Sequence, residues 1–244
     1  MIQSLPRLSA TPNLVDQVYQ HLASAISDGR MAPGTRLTQD EVAEQLAVSR
    51  QPVLQALRLL KAEGLVQDAA SASGHKGRGL VVAPIACDTM CHIYEVRSAL
   101  DALAARLAAQ ARATISAELI EQGRAAAQRA LVPDMVEADL AFHRAIYRAS
   151  GNPLIEPSAM LHWSHIRRAM TAALHHAPLR TSAWDEHEAV RQAIAAGDED
   201  TAAQLMRLHG QQASQHLQAL LRRHDRATGA TPHAADVVNA PVIF

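Results

Sequence analysis

The stretch Asp-Leu-Ala-Phe-His, residues 139 to 143, sets a carboxylate and an imidazole four positions apart in an apolar, alanine-rich run. On a helix, positions i and i+4 share a face, so Asp139 and His143 aim at one point. Alone, such a pair reads most simply as a surface contact or a satisfied core histidine. Two further histidines add weight. His187 lies ten residues before Gly197, and His209 lies twelve after it. If Gly197 turns the chain between antiparallel helices, both stand about 15–18 Å from the turn by helical rise. They are then nearly abreast. Asp139, His143, His187 and His209 would form a set of three imidazoles and one carboxylate facing inward from three helices. That donor set suits a divalent metal, zinc first, with nickel, iron or manganese as alternatives. Burying three imidazoles together without a shared partner is costly.

Such a set could activate water on zinc, which makes a zinc-dependent helical-bundle hydrolase one reading. The sequence holds no HExxH motif, no paired ExxH motifs and no evident general base beside the proposed ligands. A second reading makes the metal itself the signal. Cys87, Cys91 and His92 cluster on one helical stretch and read as free thiols rather than a redox or metal site. His162, His165, His175 and His176 form another cluster. His162 or His165 could line a cavity, and the others read as solvated. Trp163 and Trp184 read as core or cavity wall.

The elements that must carry these residues are mostly helical. Hydrophobic residues make up 48% of the 244-residue chain and aromatics only 3%, so alanine and leucine supply the core and favour packed helices. No apolar run reaches membrane-span length, and the start lacks the basic-then-apolar pattern of a secretory signal. Two cysteines do not make a disulfide framework, which fits the reducing cytoplasm. The net charge of −1 does not suggest nucleic acid, so any contact with DNA must come from a few clustered cations.

Apolar spacing predicts a helix from Leu14 through Ile26, capped by Asn13 and closed by Gly29. Thr38 and Glu41 form a capping-box pattern for a short helix through Leu46, and Ser49 opens another that ends at Gly64. Two short strands follow, Leu65–Gln67 and Leu80–Ala83, joined by a glycine-rich polar loop. Three helices and a two-stranded wing outline a winged helix-turn-helix over residues 1–84. Arg50 and Gln51, at the start of the second helix of the pair, can read base edges. Ser49 and the free N–H groups there can hold a phosphate, and Thr38, at the start of the bracing helix, joins this DNA-facing set. The tip of the wing, His75-Lys76-Gly77-Arg78-Gly79, is basic and suits a minor groove.

Residues 85–225 read as an all-α antiparallel bundle of about six helices. Their expected spans are Asp88–Ala111, Ser116–Leu131, Asp134–Ala149, Pro157–Leu174, Ser182–Ala196 and Asp198 to about Arg223. Residues 226–244 read as a flexible tail. The fold class is therefore mainly α, a winged helix-turn-helix followed by a helical bundle.

The wording is more specific than the pattern. "GRMAPGTRL", "LAVSRQPV" and "ALRLLKAEGLV", within about residues 12–84, resemble the GntR family of bacterial transcription regulators. The resemblance implies a base contact at Arg50 and a wing contact at Gly77–Gly79, with affinity resting on Arg50, Arg58, Lys76 and Arg78. Leu54 and Gln55 stand where the family often has Arg-Glu. Asp40 stands where some members carry an arginine, so each departure removes a cation. "IYEVRSALDALAARLAA", "DLAFHRAIYRASGNPLI" and "EHEAVRQAIAAGDEDTAAQLMRLH" resemble the FCD ligand-binding domain of FadR-type GntR regulators, in its shorter, VanR-like branch. That resemblance implies metal ligation by Asp139, His143, His187 and His209. It places at Arg97 an arginine that helps hold a small organic acid, although Arg97 could equally pair with Asp101 one turn on. The expectation is a homodimeric, cytoplasmic, DNA-binding regulator, a repressor in the commonest case. A small carboxylate metabolite bound beside a metal would control its affinity for the operator.

Overall fold

The computed structural model describes residues 14–70, 76–176 and 182–228. Its contacts divide the chain into two units that meet at Pro84–Ile85.

In the first unit α1 (Leu14–Ser27) buries Val18, Leu22 and Ile26 on one stripe. The short helix α2 (Gln39–Gln45) starts at Thr38, whose hydroxyl accepts from the Glu41 N–H at 3.3 Å and donates to the Glu41 carboxylate at 2.7 Å. This is a capping box in which the carboxylate takes the hydroxyl rather than the backbone. Ala47, between the helices, lies at φ 50°, a left-handed conformation that costs a non-glycine residue about 1–2 kcal/mol. Helix α3 (Arg50–Ala62) follows. Ser49 takes its N-cap position, but the hydroxyl makes no capping bond, contrary to the expected cap. Val53, Ala56, Leu57 and Leu60 face α1 and the sheet, and the core is completed by Leu37, Val42, Leu65, Val66 and Val82.

The sheet has three strands where the sequence suggested two. β1 (Arg36–Leu37) pairs antiparallel with β3 (Lys76–Val82), which pairs antiparallel with β2 (Val66–Ala70). β1 is only two residues long, too short to show a period of two. Asn13 and residues 71–75 lie outside the described residues.

The second unit contains seven helices among the described residues, one more than expected. They are α4 (Cys87–Gln110), α5 (Glu118–Arg129), α6 (Val132–Ala149), α7 (Ile155–Met160), α8 (Trp163–His176), α9 (Ala183–Ala196) and α10 (Glu199–Thr228). The expected helix 157–174 is broken around Leu161, and its two parts serve different cores. Ile155 and Ala159 of α7 join the central cluster around Phe142 and Tyr147. Ile166 and Ala169 of α8 pack with Met90, Ile93 and Leu217. No proline or glycine marks the break, so sequence spacing did not reveal it.

Other ends differ in detail. Asp88 lies in the first turn of α4, after an Ala86 N-cap without a side-chain bond. Ser116 accepts from the Glu118 N–H ahead of α5, and Asp198 accepts from the Thr201 N–H ahead of α10. α10 enters the segment expected to be a tail, and residues 229–244 lie outside the described residues.

Two features fix the helices that bear the histidines. Gly197 ends α9 at φ 74°, a conformation glycine adopts without steric cost, and turns the chain directly into α10. Gly210 on α10 faces Ser98 of α4 so closely that a Cβ there would overlap the serine side chain. The backbones of α4 and α10 therefore run close together.

Candidate functional site

Helix α6 begins with Pro133 in its first turn, and its apolar residues Val136, Leu140, Ile146 and Tyr147 bury one face. Asp139 and His143 sit on that helix one turn apart. His143 is fully buried, and Asp139 is the most open member of the group. Trp184, Val190 and Ile194 bury α9 and carry His187 inward. Met206 and Leu217 do the same for His209 on α10. The His187 and His209 rings meet Nε2 to Nε2 at 3.1 Å. Asp139 lies 3.8 Å from His187 Nε2 and 3.9 Å from His143 Nε2. One ligand atom from each of the four residues lies within 4.8 Å of all the others. The structure thus brings Asp139, His143, His187 and His209 together from three helices.

The surroundings hold each ring in place. His209 Nδ1 meets Glu186 Oε2 at 2.8 Å, which leaves Nε2 aimed at the centre. His143 Nδ1 lies 3.4 Å from Asp101 Oδ2, and its inward Nε2 is buried with no hydrogen-bond partner. Phe142 stacks on His187 with ring centroids 4.3 Å apart. A carboxylate or backbone group on the far nitrogen of a metal-binding imidazole fixes its tautomer and orientation. An inward buried Nε2 with no partner, beside two imidazoles and a carboxylate, fits a divalent cation with nitrogen and oxygen ligands.

The charges follow from burial and proximity. Burial pushes the His209 imidazole below its ordinary range, against the opposing pull of Glu186. Burial alone would raise the Asp101 carboxyl. His143 and Arg97 beside it, with the Tyr147 hydroxyl that donates to it, instead hold it at about 2. Arg97 is also buried, which disfavours its charge, but Asp101, Tyr147 and Asp139 more than restore it. Its Nε lies 3.3 Å from Asp101, and a terminal nitrogen lies 3.5 Å from Asp139. Tyr94 and Trp163 flank its guanidinium at 5.7 and 5.9 Å from their ring centroids. The pair with Asp101 and the position beside the cluster therefore coexist.

Arg97, Asp139 and His209 also line a small cavity of about 70 Å³ with Tyr94. Its remaining described walls are mainly apolar, from Met170, Leu174 and Leu217, with His216 as a further polar group. Neither His162 nor His165 is among its lining residues. Trp163 stands over Arg97 rather than in the cavity wall, and Trp184 is buried against Phe142. Cys87 and Cys91 are free thiols, and burial, followed by its neighbour Cys87, raises the Cys91 thiol.

Sequence reasoning missed Glu186 and His216. Glu186 precedes His187, but its partner is one helix away, so spacing within a helix could not reveal it. His216 lies two turns beyond His209, and the same helical period would have found it.

In the first unit, Arg50, Gln51 and Arg58 are exposed on α3, and Ser49 is exposed at its start. Thr38 is half-buried, its hydroxyl engaged in the cap. Arg50 Nε meets Asp40 Oδ1 at 2.6 Å. Lys76, Gly77 and Arg78 lie in β3, and their side chains are outside the described residues, as is all of His75.

Comparison with known proteins identifies both units. Residues 14–73 match the family of bacterial regulatory proteins called the gntR family, and residues 92–212 match the FCD domain, most of the chain between them. An uncharacterized HTH-type transcriptional regulator from an unstable DNA locus of Streptomyces ambofaciens is 27% identical over 227 residues, 92% of each chain. The HTH-type transcriptional repressor RspR of Escherichia coli K12 is 31% identical over 144 residues, 57% of this chain and 60% of its own. The solved structure of E. coli McbR/YncC superposes with a TM-score of 0.67 at 21% identity, over 89% of this chain and all of that one. That last likeness concerns the fold alone. No helix among the described residues is long and apolar enough to cross a membrane.

Proposed function

Because this chain belongs to the GntR family, with an FCD domain following its winged helix in sequence, it is a DNA-binding transcriptional regulator and not an enzyme, and we propose how it is controlled. A small carboxylate metabolite, bound beside a divalent metal in the helical unit, sets the affinity of the winged unit for its operator. The observation that carries this reading is the convergence of Asp139, His143, His187 and His209 next to a cavity that also receives Arg97.

Asp139, His143, His187 and His209 would hold the metal, which supplies positive charge for the acid's carboxylate. Arg97 supplies a planar fork for the same group. In the structure that fork is shared between Asp101 and Asp139. An incoming carboxylate therefore competes with Asp139 for it, while Asp101 keeps the guanidinium in place. Met170, Leu174 and Leu217 favour an acid whose remainder is apolar and short, because about 70 Å³ admits only a handful of water-sized groups.

The protein acts as a twofold dimer in the cytoplasm. One winged unit with few cations binds weakly, and two can match half-sites one turn apart. The acid acts by binding one dimer geometry more tightly than another, and repression relieved by the acid follows. Repression accords with the similarity to the E. coli transcriptional repressor RspR.

A thermal-shift screen of small carboxylic acids on metal-replete protein, followed by DNA titration with any hit, tests the reading. The expected hit changes DNA affinity about fivefold or more. Arg97→Ala should abolish that response with the metal retained. If metal alone modulates DNA binding and no acid does, the metal is the signal. If neither changes it, the proposed control is wrong.

A further inference from the structure

We infer that Asp40 is a specificity-determining brace for Arg50, holding its guanidinium so that this arginine reads guanine. The inference rests on the DNA-binding reading above and concerns a residue that the family comparison treats only as a lost cation.

Asp40 lies in the first turn of α2, and Arg50 is the first residue of α3. Their side chains meet across the helix-turn-helix with Nε at 2.6 Å from Oδ1. Both side chains are more than half exposed, so the pair does not serve the core. Exposed pairs of this kind add little to folding stability. The other acid of that turn, Glu41, is committed to the Thr38 cap, which leaves Asp40 as the carboxylate that faces Arg50.

The geometry gives the pair a directional use. When Nε is held from the side, the outer edge of the guanidinium, with its two terminal nitrogens, remains open. Guanine presents N7 and O6 as two acceptors along its major-groove edge, and this edge matches two parallel N–H donors. Thymine and adenine each present a different pattern, and neither offers two adjacent acceptors. A free arginine has many rotamers and can swing to a phosphate, where it contributes affinity without sequence information. Asp40 opposes that swing twice, by holding the fork and by repelling phosphate. The acid therefore lowers the general attraction of the surface for DNA and converts one cation into a reader.

The test uses the full-length protein. A binding site is first selected from a randomised duplex pool with the wild-type chain. Each guanine of that site is then replaced in turn by adenine, and affinity is measured for wild type, Arg50→Ala, Asp40→Ala and Asp40→Asn. One guanine replacement should weaken wild-type binding about tenfold or more and leave Arg50→Ala indifferent. At that same position Asp40→Ala and Asp40→Asn should lose most of the discrimination, with nonspecific binding unchanged or tighter. Their melting temperatures should stay at the wild-type value, which separates a brace from a structural role.

If both Asp40 variants discriminate guanine as the wild type does, Asp40 is no brace. If they tighten binding to every sequence equally, with discrimination intact, the acid acts by repulsion alone and the inference is wrong. If the wild-type chain enriches no sequence, the DNA-binding reading itself fails, and this inference falls with it.

Discussion

The side chain of Arg50, proposed to read bases for the winged unit, is 73% exposed, whereas that of His187, in the candidate site of the helical unit, is 1% exposed. In the winged unit the core is made of Val53, Leu57, Leu60 and other plain aliphatics, and Ser49, Arg50, Gln51 and Arg58, proposed to meet DNA, stand exposed outside it. In the helical unit the candidate site lies within the packing itself. Phe142, Trp184 and Met206 belong to the same buried cluster that carries His143, His187 and His209. The difference teaches where stability and function separate. A substitution on the winged surface can remove function and leave the fold intact. A substitution in the helical site changes both, because buried imidazoles without a shared partner strain the core.

The largest expected effect breaks the helical side of this comparison. Stripping the metal with a chelator, or replacing both His187 and His209 by Ala, should lower thermal stability by about 4 kcal/mol or more, since a cation bound at a thousandfold excess over its Kd contributes about that much. Calorimetry should show the loss in the transition of the helical unit, with the winged unit's transition unmoved. A double variant that still carries a full complement of metal would show that these imidazoles are not ligands.

A second substitution probes packing in the same unit without touching the candidate ligands. Gly123 on α5 lies so close to the Trp184 indole that a Cβ there would overlap it. Gly123→Ala should therefore cost about 1–3 kcal/mol, read by denaturant titration. A neutral result would mean that α5 and α9 can separate freely, and the contrast between the units would weaken.

On the winged side, Arg50→Ala should cost about 1–3 kcal/mol of specific DNA binding and nothing measurable in melting temperature. Loss of both together would erase the separation between the two units.

Much of this contrast was legible in the sequence. The i, i+4 pair of Asp139 and His143 and the near-equal distances of His187 and His209 from Gly197 follow from helical rise and a glycine turn. These are local rules that tertiary packing left undisturbed. The extents of α1, α2, α3 and α9 follow apolar periodicity to within a residue or two, whereas α6 starts two residues before the expected Asp134 and the expected Ser49 cap does not form. What could not be read depends on contacts between elements. The break between α7 and α8 comes from two cores on different sides, with no glycine or proline to announce it. β1 is two residues held by β3. Glu186 reaches His209 across a helix pair, and Asp40 reaches Arg50 across the turn. A linear pattern carries the residue types for these links but not their distances.

The smallest prediction sharpens the comparison from the surface of the helical unit. Hydrogen bonds from Arg148 and Arg144 hold the Glu156 carboxyl below its usual range. A carboxyl whose folded value is depressed contributes stability above its unfolded value and loses it as pH falls through the folded one. Glu156→Gln should lower the melting temperature by about 2 °C at neutral pH, and the difference should close as the pH falls below the ordinary carboxylate range. A difference that grew in acid would have the wrong sign for this ion pair.

The central claim is that three imidazoles and a carboxylate of the helical unit hold one divalent cation. X-ray absorption at the edge of the metal that copurifies with the full-length protein tests it most directly. The account predicts imidazole scattering from three nitrogens with oxygen completing the shell, all at about 2.0–2.2 Å, and loss of that pattern in the His187→Ala, His209→Ala double variant. Sulfur in the shell, or a shell of oxygen without imidazole, would contradict it.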